Sequence, residues 1–180
     1  MRIFRENTIG LVIDVQEKLF PHMLNREELL GNLIKLISGL KVLEVPILLT
    51  EQYTKGLGTT INPLQEAIGD YKAIEKMAFS CCDEPQFLKV LKDHSKKNVI
   101  ICGIESHVCV LQTCIDLQQA GYQSVIIEDC ISSRKTSDKV IALERMKKEG
   151  AIISSLESIL FELSRVSGTE SFKAISRIVK

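Results

Sequence analysis

The chain is predicted to be an α/β protein, a three-layer α/β/α sandwich around a six-stranded parallel sheet of Rossmann-like type, with residues 1–180 forming one domain. Three observations predict it. Six apolar runs lack the polar alternation of a half-exposed strand, as expected of strands buried on both faces of a parallel sheet. Segments with apolar residues at helical spacing separate these runs, which is the alternation of βαβ units. No linker, repeat or low-complexity segment divides the chain, and its length suits one hydrophobic core.

The first run, Thr8-Ile9-Gly10-Leu11-Val12-Ile13-Asp14-Val15, carries an acid near its end. An aspartate there must be paired or lie at the strand tip, and capping the next helix is its ordinary use. Leu29, Leu30, Leu33, Ile34, Ile37 and Leu40 recur at helical spacing and predict an amphipathic helix. Val45-Pro46-Ile47-Leu48-Leu49-Thr50 is the second strand. Residues 51–60 read as a polar, glycine-bearing segment, either a substrate-side loop or a plain connector. Its glycines match neither a P-loop nor a dinucleotide fingerprint. Tyr71-Lys72-Ala73-Ile74-Glu75-Lys76 predicts a short third strand ending in a lysine, and Pro85 suits the first turn of a helix over 84–94. Asn98-Val99-Ile100-Ile101-Cys102 is the fourth strand, with a helix over 110–121 after it. Gln123-Ser124-Val125-Ile126-Ile127-Glu128-Asp129 is the fifth, followed by a helix over 137–149 that Gly150 stops. Ala151-Ile152-Ile153-Ser154 is the sixth, and helices over 158–163 and 171–179 end the pattern. The last of these presents Phe172, Ile175, Ile178 and Val179, which either close the core or meet another subunit.

Composition excludes several functions. Apolar residues are 45% and charged residues 26%, the balance of a globular rather than a disordered chain. Lysine plus arginine equals aspartate plus glutamate at 23 each, so there is no basic excess for nucleic acid or an anionic membrane surface. No apolar run reaches spanning length, and Met1-Arg2-Ile3-Phe4-Arg5-Glu6-Asn7 has no signal-peptide core; a cytoplasmic protein is expected. The six cysteines lie in apolar segments or beside Phe79, and Cys81 and Cys82 are adjacent, a poor geometry for a bridge. Reduced thiols are expected. The lack of a Cys-x-x-Cys pair and the scatter of the three histidines argue against structural zinc.

The stretch Gly103-Ile104-Glu105-Ser106-His107-Val108-Cys109-Val110 holds the most chemistry. Gly103 permits a tight exit from the fourth strand, and Ser106 or His107 could open the following helix. Cys109 then falls in the first helical turn at the carboxyl edge of the sheet, where ligands bind in open α/β folds. Unpaired helix N–H groups and the helix dipole would favour its thiolate. The alternative is a small core residue. Asp14 and Lys76 end strands on that same edge. A carboxylate can take the proton of a thiol nucleophile, and an ammonium can stabilise the thiolate. Taken singly, Asp14 could equally be a cap and Lys76 a solvated strand end. His107, two residues before Cys109, points elsewhere at a helix start, so a capping or surface role is expected.

These residues resemble the isochorismatase-like cysteine hydrolases. Leu11-Val12-Ile13-Asp14-Val15-Gln16 is similar to the first-strand motif of that family, Glu75-Lys76 with Phe79-Ser80 to its lysine segment, and Gly103 to Val110 to its nucleophile turn. Thr50-Glu51-Gln52-Tyr53 through Gly58, with Phe79-Ser80-Cys81-Cys82, looks most like the isochorismatase domain-containing subgroup, whose substrates are poorly defined. The resemblance implies a catalytic Asp14, Lys76 and Cys109 and a cis peptide at Ile104–Glu105. It further implies an oxyanion hole from the N–H groups of Glu105 and Cys109, and a small substrate with an amide, carbamoyl or related C–N bond. Gln16, Phe20 and Gln52 are candidate substrate contacts. Nicotinamidases of the family carry an Asp-x-His…His metal site after the second strand; residues 50–60 here have no histidine, so no metal or other cofactor is expected. Homo-oligomerisation is implied as well. Two readings compete with hydrolysis: a catalytically silent scaffold of the same fold, and a redox-sensing thiol protein.

Overall fold

The computed structural model describes residues 1–180. Its sheet contains β1 (Thr8–Ile13), β2 (Ile47–Gln52), β3 (Ile74–Lys76), β4 (Asn98–Ile104), β5 (Gln123–Ser132) and β6 (Ile152–Ser154). They lie in the order β3-β2-β1-β4-β5-β6 with every neighbouring pair parallel. The order reverses between β1 and β4, so the crevice beyond their carboxyl ends is the switch point where open α/β sheets bind ligands.

The unbroken apolar runs follow from burial on both faces. Val12, Leu49, Ile100, Cys102, Val125 and Ile127 pack on one side against α1 (Arg26–Val42) and α7 (Leu156–Ser164), with Leu64 of α3 (Asn62–Ile68) joining them. Ile9, Leu11, Ile13, Leu48, Val99, Ile101 and Ile126 pack on the other. There they meet α4 (Pro85–Asp93), α5 (Leu111–Gln119) and α6 (Thr136–Lys148). In α8 (Glu170–Val179), Ile175 is buried and Ile178 and Val179 pack against the first layer, while Phe172 meets the Phe161 ring of α7 at 5.8 Å. The apolar face of the last helix therefore closes the core.

Three local differences from the sequence expectation matter. Residues 51–60 contain the end of β2 and a one-turn helix α2 (Thr54–Leu57), and α3 follows; both helices are too short for periodicity to reveal. β5 runs on to Ser132, with a register shift against β4 between Ile101 and Gly103. The segment after β4 is a single π-helical turn, Ser106–Val110, capped by no side chain. Neither Ser106 nor His107 opens a helix as an N-cap, and the Ser106 hydroxyl is buried without a partner.

Candidate active site

Gly103 fixes how β4 approaches β1. Its φ is +117°, and a β-carbon there would lie 2.1 Å from the Ile13 carbonyl oxygen and 2.6 Å from the Ile13 nitrogen. Only glycine lets the two backbones lie this close. One residue beyond Ile13, Asp14 leaves the strand at φ +51°, and its N–H donates to the Thr50 carbonyl at 3.2 Å. The turn sends the carboxylate toward the ends of β2 and β3, where Thr50 Oγ1 donates to Oδ1 at 2.8 Å and Lys76 Nζ to Oδ2 at 2.6 Å.

Lys76 is among the largest fully buried side chains of the protein, and its side chain, like that of Asp14, has no exposure. Its ammonium also faces Gln52 Oε1, Ala78 O and Phe79 O, each at 3.1 Å. A buried charge persists only when paired and hydrogen-bonded, and this one is both. Burial pulls the ammonium down, but the adjacent Asp14 charge, followed by Cys109 and Cys81 and the Asp14 hydrogen bond, outweighs it and holds Lys76 above its ordinary value.

Cys109 sits in the π turn, buried, with Sγ donating to Gln52 Oε1 at 3.2 Å. Gln52 thus bridges the thiol and the ammonium. Burial first and the Asp14 charge second push the Cys109 thiol well above its ordinary value, against the opposing pull of Lys76. This corrects the expectation of a thiolate favoured by helix N–H groups. The sulfur rests as a thiol beside a carboxylate–ammonium pair, because desolvation exceeds what one cation and a helix end return.

The peptide bond Ile104–Glu105 is cis. The N–H groups flanking Cys109, those of Val108 and Val110, both donate to the Glu105 carbonyl, at 3.1 and 3.3 Å. The Glu105 carboxylate accepts from the Arg134 main-chain N–H at 3.3 Å and from its Nε at 3.0 Å. His107 turns away, its Nδ1 lying 3.0 Å from the Ser133 hydroxyl and its Nε2 3.9 Å from Asp138. It is neither a cap nor a partner of Cys109. It ties the turn to the segment after β5.

Asp14, Gln52, Lys76 and Cys109 are brought together, and Glu105 flanks them. Gln16 and Phe20 are not brought to the sulfur. Gln16 is buried and its amide is fully engaged: Nε2 donates to Gln52 O at 2.9 Å and Gly58 O at 2.7 Å, and Oε1 accepts from Gln52 N at 2.8 Å. It positions Gln52 and has no donor left for a ligand. Phe20 lies in a turn after Gln16 and packs half-buried against the α1 layer, whereas Cys109 belongs to the opposite layer. Thr50 and Arg134 were missed. Each is an ordinary polar residue, Thr50 within β2 and Arg134 two positions after β5, and only the register Ile13↔Thr50 and the pairing Ile104↔Ser132 bring them to Asp14 and Glu105.

No group of three or more His, Cys, Asp or Glu side chains is arranged to hold a metal ion, and no helix is long and apolar enough to cross a membrane.

Residues 8–158 match the Isochorismatase domain family. The chain belongs to this family. Mouse isochorismatase domain-containing protein 2A is 35% identical over 180 residues, covering 99% of this chain and 85% of the relative. A solved structure described as the MAR1 ribonuclease of Caenorhabditis elegans is 35% identical, with a TM-score of 0.93, covering 99% of this chain and 92% of that one. The YcaC protein of Escherichia coli, described as an octameric hydrolase of unknown specificity, shares the fold at 21% identity and a TM-score of 0.92, covering 99% and 90%. Family membership makes the chain an isochorismatase-like hydrolase of the cysteine-hydrolase kind. Its likeness to the mouse relative agrees with the subgroup that the segments near Gln52 and Phe79 indicate.

Proposed function

We propose that this isochorismatase-family protein, as one domain over residues 1–180, hydrolyses a C–N bond in a small amide, carbamoyl or related compound without a cofactor, with Cys109 as nucleophile. The observation that supports the reading best is the unbroken bonded path from Cys109 Sγ through Gln52 Oε1 and Lys76 Nζ to Asp14 Oδ2. In this reading Asp14 takes the thiol proton as sulfur attacks the carbonyl carbon. The oxyanion is received by the N–H groups of Glu105 and Cys109. Asp14 returns the proton to the departing nitrogen, then deprotonates the water that cleaves the thioester. Lys76 keeps Asp14 in place and offsets the negative charge that moves between carboxylate and sulfur. A thiol held protonated at rest, as burial requires, becomes a nucleophile only when this transfer accompanies attack.

The name of the Caenorhabditis elegans relative suggests RNA as a second substrate. The Lys76 ammonium, already on four oxygens, does not favour a phosphate there. Homo-oligomerisation is part of the proposal, in keeping with the octameric Escherichia coli neighbour, and light scattering reads it directly.

A panel of small amides and ureido compounds, with a single-stranded RNA alongside, tests the reaction class through ammonia, amine or fragment release. Turnover of an amide that drops by about 10³-fold or more in both Cys109→Ser and Asp14→Asn supports the reading. Turnover that survives Cys109→Ser overturns it. RNA cleavage with no amide turnover transfers the site to the second reading.

A further inference from the structure

We propose that Gln52 gates the nucleophile: its side-chain oxygen holds the Cys109 proton away from Asp14 until an N–H on the scissile nitrogen of the substrate takes that oxygen. The substrate is then an amide or carbamoyl compound that keeps a hydrogen on this nitrogen, a primary one above all. This role rests on the hydrolase reading of Cys109 and narrows its substrate.

The thiol has one proton and two acceptors. Burial, then the charge and hydrogen bond of Asp14, keep it protonated, yet the bond it donates at rest runs to Gln52 Oε1, at 3.2 Å. An amide oxygen is no base, so a proton aimed at it is not transferred. Lys76 Nζ, at 3.1 Å, fills the second lone pair of the same oxygen. An ammonium only donates, so it also fixes which end of the amide faces inward; Nε2 points to the Met77 carbonyl, at 3.4 Å. Gln16 pins the main chain of Gln52, holding its N–H at 2.8 Å and its carbonyl at 2.9 Å. The Thr50 hydroxyl gives its proton to Asp14 Oδ1 and accepts from Cys81 Sγ at 3.8 Å, so its donor is committed.

Access decides which donor yields. Asp14, Lys76 and Cys109 are buried, whereas Gln52 is half-buried and meets solvent. A ligand N–H arriving there finds both lone pairs of Oε1 occupied and must displace one donor. Lys76 is anchored by Asp14 and by the carbonyls of Ala78 and Phe79 as well. The S–H group is the weak donor, and it yields by turning about its Cβ–Sγ bond, which brings its proton to Asp14. Sulfur then bonds to the carbonyl carbon. The proton passes through Asp14 to the nitrogen, and the C–N bond breaks with its electron pair on nitrogen, so that a primary amide releases ammonia. Gln52 Oε1, bonded to the N–H, keeps that nitrogen beside Asp14. A tertiary amide or an ester has no N–H with which to turn the thiol, although an ester is the more reactive acyl compound.

The test compares alkylation of Cys109 by iodoacetamide, its N,N-dimethyl analogue and methyl iodoacetate in wild type and Gln52→Met, each rate divided by that of free N-acetylcysteine. In wild type, iodoacetamide should be favoured about tenfold over both others, the worth of one hydrogen bond. Gln52→Met should level the three. In that variant alkylation should also set in at lower pH, because the neutral thiol has lost its acceptor while Asp14, Lys76 and Cys81, the charged and titratable groups acting on it, remain. A wild-type preference below about twofold overturns the proposal, as does a preference that survives Gln52→Met. Should the variant fold poorly, the wild-type ratios decide alone. Turnover in the amide panel without a probe preference leaves hydrolysis standing and removes the gate. A probe preference lost in Gln52→Met, with no amide turned over, leaves N–H recognition by Gln52 standing and removes the hydrolase.

Discussion

Lys76→Met should be among the most destabilising conservative changes in this protein. Methionine fills nearly the same volume, so packing is little altered. The charge is not replaced. Removing the ammonium leaves Asp14 fully buried with Thr50 as its remaining side-chain hydrogen-bond donor, and leaves Gln52 Oε1 and the carbonyls of Ala78 and Phe79 short of a donor. Breaking a buried pair by removing one partner costs about 3–5 kcal/mol. For a domain of this size that corresponds to a fall in Tm of about 6–20 °C. Urea unfolding followed by circular dichroism measures the free energy, and calorimetry the Tm. Asp14→Asn combined with Lys76→Met removes both charges, so the double variant should be less damaged than the sum of the singles by about 2 kcal/mol or more. The pH dependence has a definite sign. Lys76 is held above its ordinary value of 10.5, so its contribution is complete below that value and disappears as pH rises through the higher folded one. The gap between wild type and Lys76→Met should be flat at neutral pH and narrow only in strong alkali. A loss below about 1 kcal/mol, or additivity of the two substitutions within about 0.5 kcal/mol, would refute the coupling inferred from the geometry.

Other changes have equally definite outcomes. Alkylation of Cys109 should be slow at neutral pH and still climbing beyond the ordinary thiol value of 9.0, since burial and Asp14 both raise it; a plateau near neutrality, read by mass spectrometry, would contradict this. Cys102 is wholly buried and its thiol is pushed up to about 12 by burial. Above pH 9 the unfolded chain ionises there while the folded one does not, so stability falls by about 1.4 kcal/mol per pH unit until the folded thiol ionises. Cys102→Ala should remove that share of the slope in alkaline urea titrations. Gly103→Ala should cost more than about 3 kcal/mol, because the new methyl group meets the Ile13 backbone at a positive φ. Near-normal urea stability in that variant would show that β4 can move away from β1 cheaply. Gln16→Ala, which strips Gln52 and Gly58 of their amide partner, should lose about 1–3 kcal/mol and speed alkylation of Cys109 as Gln52 loosens; an unchanged labelling rate would deny Gln16 its positioning role.

The layer architecture was legible in the chain because it follows from periodicity. Runs such as Asn98-Val99-Ile100-Ile101-Cys102 need apolar partners on both sides, and helices with one apolar stripe supply them. Asp14, Lys76 and Cys109 were legible too, since a charge or thiol ending such a run has few bland explanations once three share an edge. Tertiary structure alone decided the rest. The sulfur rests protonated because burial outweighs the helix end, and burial is a property of the packed molecule. Gln16 became a brace for Gln52, and Phe20 went to the opposite layer, because a turn after Asp14 sends the chain back under α1. Thr50 and Arg134 took their places through strand register, which no local pattern encodes. Cys81 came to the ion pair for a like reason: its N–H is held by Thr113, thirty-two positions later in the chain. Local sequence sets what each segment prefers, whereas the field, the desolvation and the partners felt by a side chain arise from residues distant in sequence.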